Sequence, residues 1–128
     1  MSIRVVRLGS ERAVDEGLRI GTVRRPPRGI RKADYASKNY YDHWLPVLAP
    51  SAATVKLALA ARSSADWRRF ERKYRVEMAT ATNRALIELL AALSRQTNFS
   101  VGCYCADEAR CHRSILRRLL VERGASMV

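Results

Sequence analysis

The segment NFSVGCYCADEARCHRSILRRLL, Asn98 to Leu120, constrains this chain more than any other stretch. Asn98 to Cys105 reads as a β-strand, because alternation puts Phe99, Val101, Cys103 and Cys105 on one face. Ala106 to Arg110 is a polar loop. Cys111 to Arg123 then takes up helical spacing, with Ile115, Leu116, Leu119 and Leu120 inward and Arg113, Arg117 and Arg118 toward solvent. Gly124 supplies the stop. A strand passing through a short loop into a helix is the building unit of α/β folds.

The rest of the chain repeats this alternation. Ile3 to Leu8 and Leu18 to Val23 read as two short strands. Pro26, Pro27 and Gly29 in RRPPRGIR exclude regular structure between Arg24 and Arg31, leaving a basic loop. Tyr35 to Leu45 is predicted to be a helix carrying Tyr41, Trp44 and Leu45 near one face, with Pro46 and Pro50 bracketing its end. Ser51 caps a helix bearing Val55, Leu57 and Leu59. Ser63 or Ser64 caps a longer one in which Trp67, Phe70, Tyr74 and Met78 recur. A further helix runs from Thr82 through Leu93 and buries Leu86, Leu89, Leu90 and Leu93. The expected fold is a single α/β domain over residues 1–128, a small three-layer arrangement with a short, mainly parallel sheet flanked by helices. The 128 residues suffice for one core.

Charge narrows the partners. Lys and Arg number 24 against 12 Asp and Glu, a formal charge of +12. Such a field draws phosphorylated ligands and polyanions. Arginine carries the excess, since Lys32, Lys38, Lys56 and Lys73 are the only lysines. Zinc-finger spacing, a heptad zipper and an aromatic RNA-binding strand are all missing, so nucleic acid is a possible but not favoured partner. No apolar run approaches the ~20 residues needed to cross a bilayer. MSIRVVRLGS reads as a strand and not as a signal peptide, so no membrane partner and a cytoplasmic address are expected.

The chemistry is concentrated in Cys103 to Ser114. Ligands of parallel α/β folds collect beyond the carboxyl ends of strands, where helix N-termini offer free N–H groups. An anion there can take backbone N–H bonds, the guanidinium of Arg113 and the hydroxyl of Ser114. Arg24, Arg25 and Arg28, beyond another strand, can close the same site. Cys111, at a helix start among arginines, should ionise readily and is a candidate nucleophile. The loop-cysteine-to-arginine spacing of phosphatase and rhodanese-like loops is missing. Cys111 and Ala109 stand where Cys105 and Cys103 would need that arginine.

Cys103, Cys105, Cys111 and His112 are ligand types that zinc accepts, but their spacing departs from paired knuckles. Adjacent Cys111 and His112 are expected to diverge, so no metal and no cofactor is assigned. A Cys105–Cys111 redox pair is not the default in a reducing cytosol. His43, Asp107 and Glu108 carry no assigned role.

Several segments together resemble the "domain of unknown function 488" proteins, in particular the short YeaO-like branch. The turn at Arg24, Pro27, Arg28 and Gly29, DHWLPVLAPS (Asp42 to Ser51), WRRFERKYRVEM (Trp67 to Met78) and CADEARCHRSILRRLL are similar to that branch's motifs, in order. Val23 and Pro26 stand where the branch commonly has Asp and Trp, so a role for that Asp is absent here. The resemblance implies an α/β fold with a parallel sheet and no settled activity. It directs attention to Arg24, Arg28, Cys111, His112 and Arg113.

The first functional expectation is an enzyme or sensor binding a phosphorylated or nucleotide-like anion. Arg24, Arg28, Arg113 and Ser114 would hold that ligand, and Cys111 or His112 would do any proton or nucleophilic work. The alternatives are a nucleic-acid-binding module using the basic helix Arg68 to Arg75, and a zinc-stabilised interaction domain. The residues leave open whether catalysis occurs and what the oligomeric state is.

Overall fold

A computed structural model describes residues 1–128. Four strands, β1 (Ile3–Arg7), β2 (Leu18–Gly21), β3 (His43–Trp44) and β4 (Phe99–Cys103), form one parallel sheet in the order β1-β4-β2-β3. Four helices accompany it: α1 (Ala52–Ala60), α2 (Ser64–Met78), α3 (Ala81–Leu93) and α4 (His112–Glu122). None of the helices is long and apolar enough to cross a membrane.

Local chemistry explains the starts of α1 and α2. Ser51 accepts the Thr54 N–H at 3.3 Å, and Ser63 accepts that of Asp66 at 3.1 Å. Each satisfies a backbone donor that the first helical turn leaves unpaired. Along α2, Phe70, Tyr74 and Met78 recur every four residues and are buried. They meet Ile87 and Leu90 of α3, Ile115, Leu116 and Leu120 of α4, and Ile3, Ile20, Phe99 and Val101 of the sheet in one apolar core. Those strand residues all lie on one face, as alternation requires.

The opposite face is covered by loops. On the two inner strands its residues are small or polar: Arg19, Gly21, Ser100 and Gly102. A Cβ on Gly21 would come within 2.4 Å of the Tyr41 ring, and one on Gly102 within 2.6 Å of Leu8. The connection from β1 to β2, residues 8–17, has no helix and must pass β4 on this side. Glu16 and Arg19 fill the space as a buried ion pair, with Arg19 Nε 2.6 Å from Glu16 Oε2 and both side chains at most 2% exposed. Ser100 Oγ donates to the same oxygen at 2.6 Å, and Ala13 N to Oε1 at 3.2 Å. Arg19 Nη1 donates to the carbonyls of Ser10 and Asn39.

Two sequence expectations are corrected. Tyr35 to Leu45 is not a helix. After a 3-10 turn at Lys32–Asp34 the chain turns again, Asn39 takes a left-handed φ of 65°, and His43–Trp44 joins the sheet as β3. Long-range polar contacts decide this. Arg19 N and Arg12 hold the Asp42 carboxylate at 2.8 Å, and Trp44 Nε1 donates to Val23 O at 2.6 Å. In α3 the buried stripe is Ile87, Leu90 and Ala91, while Leu89 and Leu93 are 52% and 39% exposed. The helix is apolar on more than one face, and packing against α4 selected the stripe.

Glu16 provides a pH test. Burial would raise its pKa, but hydrogen bonds from Arg19, Ser100 and the Ala13 N–H outweigh that and bring it from 4.5 to about 2. A depressed carboxylate stabilises the fold above its unfolded-state pKa and loses that contribution as pH falls toward the folded value. Glu16→Gln should therefore cost about 3 kcal/mol at neutral pH. In urea unfolding the gap from wild type should narrow steadily between about pH 5 and pH 2. A gap independent of pH would contradict the assignment.

Candidate functional site

The sheet's central strand, β4, ends at Cys103, and Tyr104 and Cys105 leave the sheet. A 3-10 turn follows at Glu108–Arg110, started by Asp107, whose Oδ1 accepts the Ala109 N–H at 3.0 Å. Glu108 pins that turn to α4 through Arg117 at 2.8 and 3.1 Å. Cys111 is the N-cap of α4 in extended backbone, and its side chain makes no capping bond. Its sulfur is instead directed to the residues around it.

Three sulfurs and an imidazole converge here. Cys103 and Cys105 have their Sγ atoms 3.9 Å apart, and Cys111 Sγ lies 3.7 Å from His112 Nδ1. One ligand atom from each of Cys103, Cys111 and His112 lies within 4.8 Å of the others, and all three residues are buried. The expected divergence of Cys111 and His112 is not observed, because the first turn of α4 folds the imidazole back beside the sulfur.

The ring of His112 is fixed from the far side. Its Nε2 is 2.8 Å from Thr22 O and 3.3 Å from Thr22 Oγ1. A carbonyl only accepts, so Nε2 carries a proton toward Thr22, and Nδ1 is the ring nitrogen that faces the sulfur. The Tyr74 ring meets the imidazole edge-on at 5.6 Å, and the Tyr74 hydroxyl donates to Leu48 O at 2.7 Å.

Electrostatics distinguishes the sulfurs. Hydrogen bonds from Cys103 and then Cys105 hold Cys111 well below the ordinary thiol range against burial, with His112 adding to the effect. Cys103 moves the other way, raised by its hydrogen bonds to Cys105 and Cys111 and by burial. A thiolate at Cys111 solvated by neighbouring thiols is the favoured arrangement.

The cluster forms the floor of a cavity of about 360 Å³. Val55, Ala58, Leu59 and Phe70 give it an apolar wall; Arg24, Arg25 and Arg110 contribute charge. The Arg110 guanidinium also lies over the Trp67 ring at 5.3 Å. This volume lies within the range of small-molecule sites, ~300–1,000 Å³.

The sequence candidates divide accordingly. Arg24, Cys111 and His112 line the cavity; Arg28, Arg113 and Ser114 do not. Arg113, expected at solvent, is 3% exposed. Its Nη2 donates to Cys105 O at 2.6 Å, and its Nε has no partner. Packing of the first turn of α4 drew it inward, where it braces the loop. Ser114 Oγ donates to Cys111 O at 2.9 Å. Arg28 is exposed on its loop, and His43 is exposed on β3. Arg110, Phe70 and the Thr22 carbonyl were missed. Phe70 shows in the sequence only as part of the helical core stripe, Arg110 carries no local signal, and a backbone acceptor leaves no mark in sequence at all.

Iodoacetamide alkylation of reduced, chelator-treated protein should show these differences in its pH profile. Modification of Cys111 should persist to lower pH than that of a free thiol, whereas that of Cys105 fades. Identical profiles by peptide mass spectrometry would contradict the ranking.

The family model described as "Active DUF488-N3 subclade" matches residues 3–124. The chain belongs to that DUF488 family. No curated protein and no solved structure gives a significant match to it.

Proposed function

We propose that this DUF488 protein is a small enzyme or enzyme-like sensor that binds a phosphorylated, nucleotide-like anion in the cavity beyond β4. The observation that carries the reading is one space lined at once by Cys111 and His112, by three arginines, and by an apolar wall. Guanidinium forks suit phosphate oxygens, and an apolar wall suits a base or another flat, weakly polar group. Arg24, Arg25 and Arg110 take the charge-holding role, in place of Arg28 and Arg113. The reacting part of the ligand then sits over Cys111 and His112. The subclade's description as active agrees with a working site.

The basic face of α2 supports the nucleic-acid alternative less well. Arg75 is tied to Glu71 and Glu122, so part of its charge is neutralised within the fold.

Calorimetric titration with AMP, GMP, CMP, UMP and inorganic phosphate at low ionic strength tests the reading. At least one nucleotide should bind at one site per chain, more tightly than phosphate alone. Arg24→Ala and Arg110→Ala should each weaken it roughly tenfold to a hundredfold, the contribution of a hydrogen bond to a charged group. Arg28→Ala should leave binding unchanged. Absence of nucleotide binding, or binding indifferent to Arg24 and Arg110, overturns the proposal.

A further inference from the structure

We propose that the floor of this cavity is a binding site for one soft divalent metal ion of the zinc class, ligated by Cys103 Sγ, Cys111 Sγ and His112 Nδ1, with a fourth position open to the cavity. The proposal rests on reading this cavity as the functional site, but not on the anion.

Four independent observations support it. The first is distance. With Zn–S of ~2.3 Å and Zn–N of ~2.0–2.1 Å, tetrahedral ligation places ligand atoms ~3.8 Å (S···S) and ~3.6 Å (S···N) apart. Cys111 Sγ and His112 Nδ1 are 3.7 Å apart, and the three ligand atoms lie within 4.8 Å of one another. Small side-chain adjustments close the remainder.

The second is the outer support of the histidine. A metal-ligating imidazole characteristically donates its other ring N–H to a carboxylate or carbonyl, which fixes the tautomer and leaves the ligating nitrogen bare. His112 Nε2 and the Thr22 carbonyl make that contact at 2.8 Å. The Thr22 hydroxyl is in turn bonded to Gly102 O at 3.0 Å, which ties the support to the sheet.

The third is donor chemistry. Two sulfurs and an imidazole, with no carboxylate in the group, select zinc-class ions over magnesium or calcium. Two thiolates and a neutral ring also balance a dication in a buried place, where unmatched charge is costly.

The fourth is position. Three protein ligands with a free vertex distinguish catalytic zinc sites from closed structural ones. Cys103 and Cys111 stand on the cavity floor, and Cys105, exposed at the start of the loop, falls outside the three-ligand group. A ligand held by Arg24, Arg25 and Arg110 would meet that vertex directly. The ion would polarise an oxygen or activate a water there. Cys111 then serves as a metal ligand in place of a nucleophile.

Cobalt titration of the reduced, chelator-treated protein tests this. One equivalent of Co²⁺ should produce thiolate-to-cobalt charge-transfer absorption with the d–d bands of tetrahedral coordination, and equimolar Zn²⁺ should displace it. Cys111→Ser and His112→Gln should each weaken binding at least tenfold, whereas Cys105→Ser should retain full stoichiometry. Wild type needs no variant to fold, so absence of the charge-transfer band at one equivalent overturns the site by itself. Loss of binding in Cys105→Ser overturns the open vertex and marks a closed structural site. The nucleotide titrations, repeated on metal-free and zinc-loaded protein, separate the two proposals. Nucleotide binding without metal binding leaves the anion reading standing alone, and metal binding without nucleotide binding leaves the metal site alone.

Discussion

The buried Glu16–Arg19 pair is the interaction on which the rest of the structure depends. A parallel sheet ordinarily covers both faces with crossover helices, and ten residues between β1 and β2 are too few for one. The guanidinium and carboxylate take that place, with hydrogen bonds to Ser100, Ala13, Ser10 and Asn39 satisfying both groups. A buried pair is tolerable only when its remaining donors and acceptors are matched in this way, and breaking one partner costs about 3–5 kcal/mol. The pair joins the first loop, β4 and the approach to β3, so strand order and loop path are set together.

Strand order then sets the site. With β4 between β1 and β2, its carboxyl end opens at the middle of the sheet's edge, where the adjoining strand ends bring Thr22 and Val23 beside Cys103. α4 starts there after a short pinned turn, which delivers Cys111 and His112 to the same point. Gly21 and Gly102 permit Tyr41 and Leu8 to lie flat on the far face, and no side chain larger than hydrogen fits either position without displacing them. The helix face supplies the opposite wall through Phe70, Val55 and Ala58. Reactive groups and apolar wall therefore come from elements far apart in sequence and adjacent in space.

The net charge of +12 is distributed unevenly. Arg12, Arg19, Arg75, Arg117 and Arg118 are engaged with carboxylates and serve the fold. Arg24 and Arg25 are exposed and line the cavity beside Arg110. A guanidinium committed to a carboxylate has little left for a ligand, so the surplus at the cavity matters more to recognition than the total does.

Sequence alone was enough for the elements whose signals are local: β1, β2, β4, the cap at Ser51 and a serine cap at Ser63 or Ser64, the Phe70–Tyr74–Met78 stripe, and the turn from β4 into α4. Each depends on periodicity or on a side chain bonding a backbone a few residues away. The same reasoning marked Cys111, His112 and Arg24 as residues to watch. Tertiary structure decided the rest. It made Tyr35 to Leu45 a turn and a strand, because Asp42 and Trp44 find partners on β2 and just beyond it. It also turned Arg113 inward to Cys105 and placed Arg110 in the cavity. The His112–Thr22 contact joins residues ninety positions apart through a backbone carbonyl, a group that every residue has alike. Spacing along a chain fixes which side chains share a helix or strand, whereas convergence between elements follows from packing the whole.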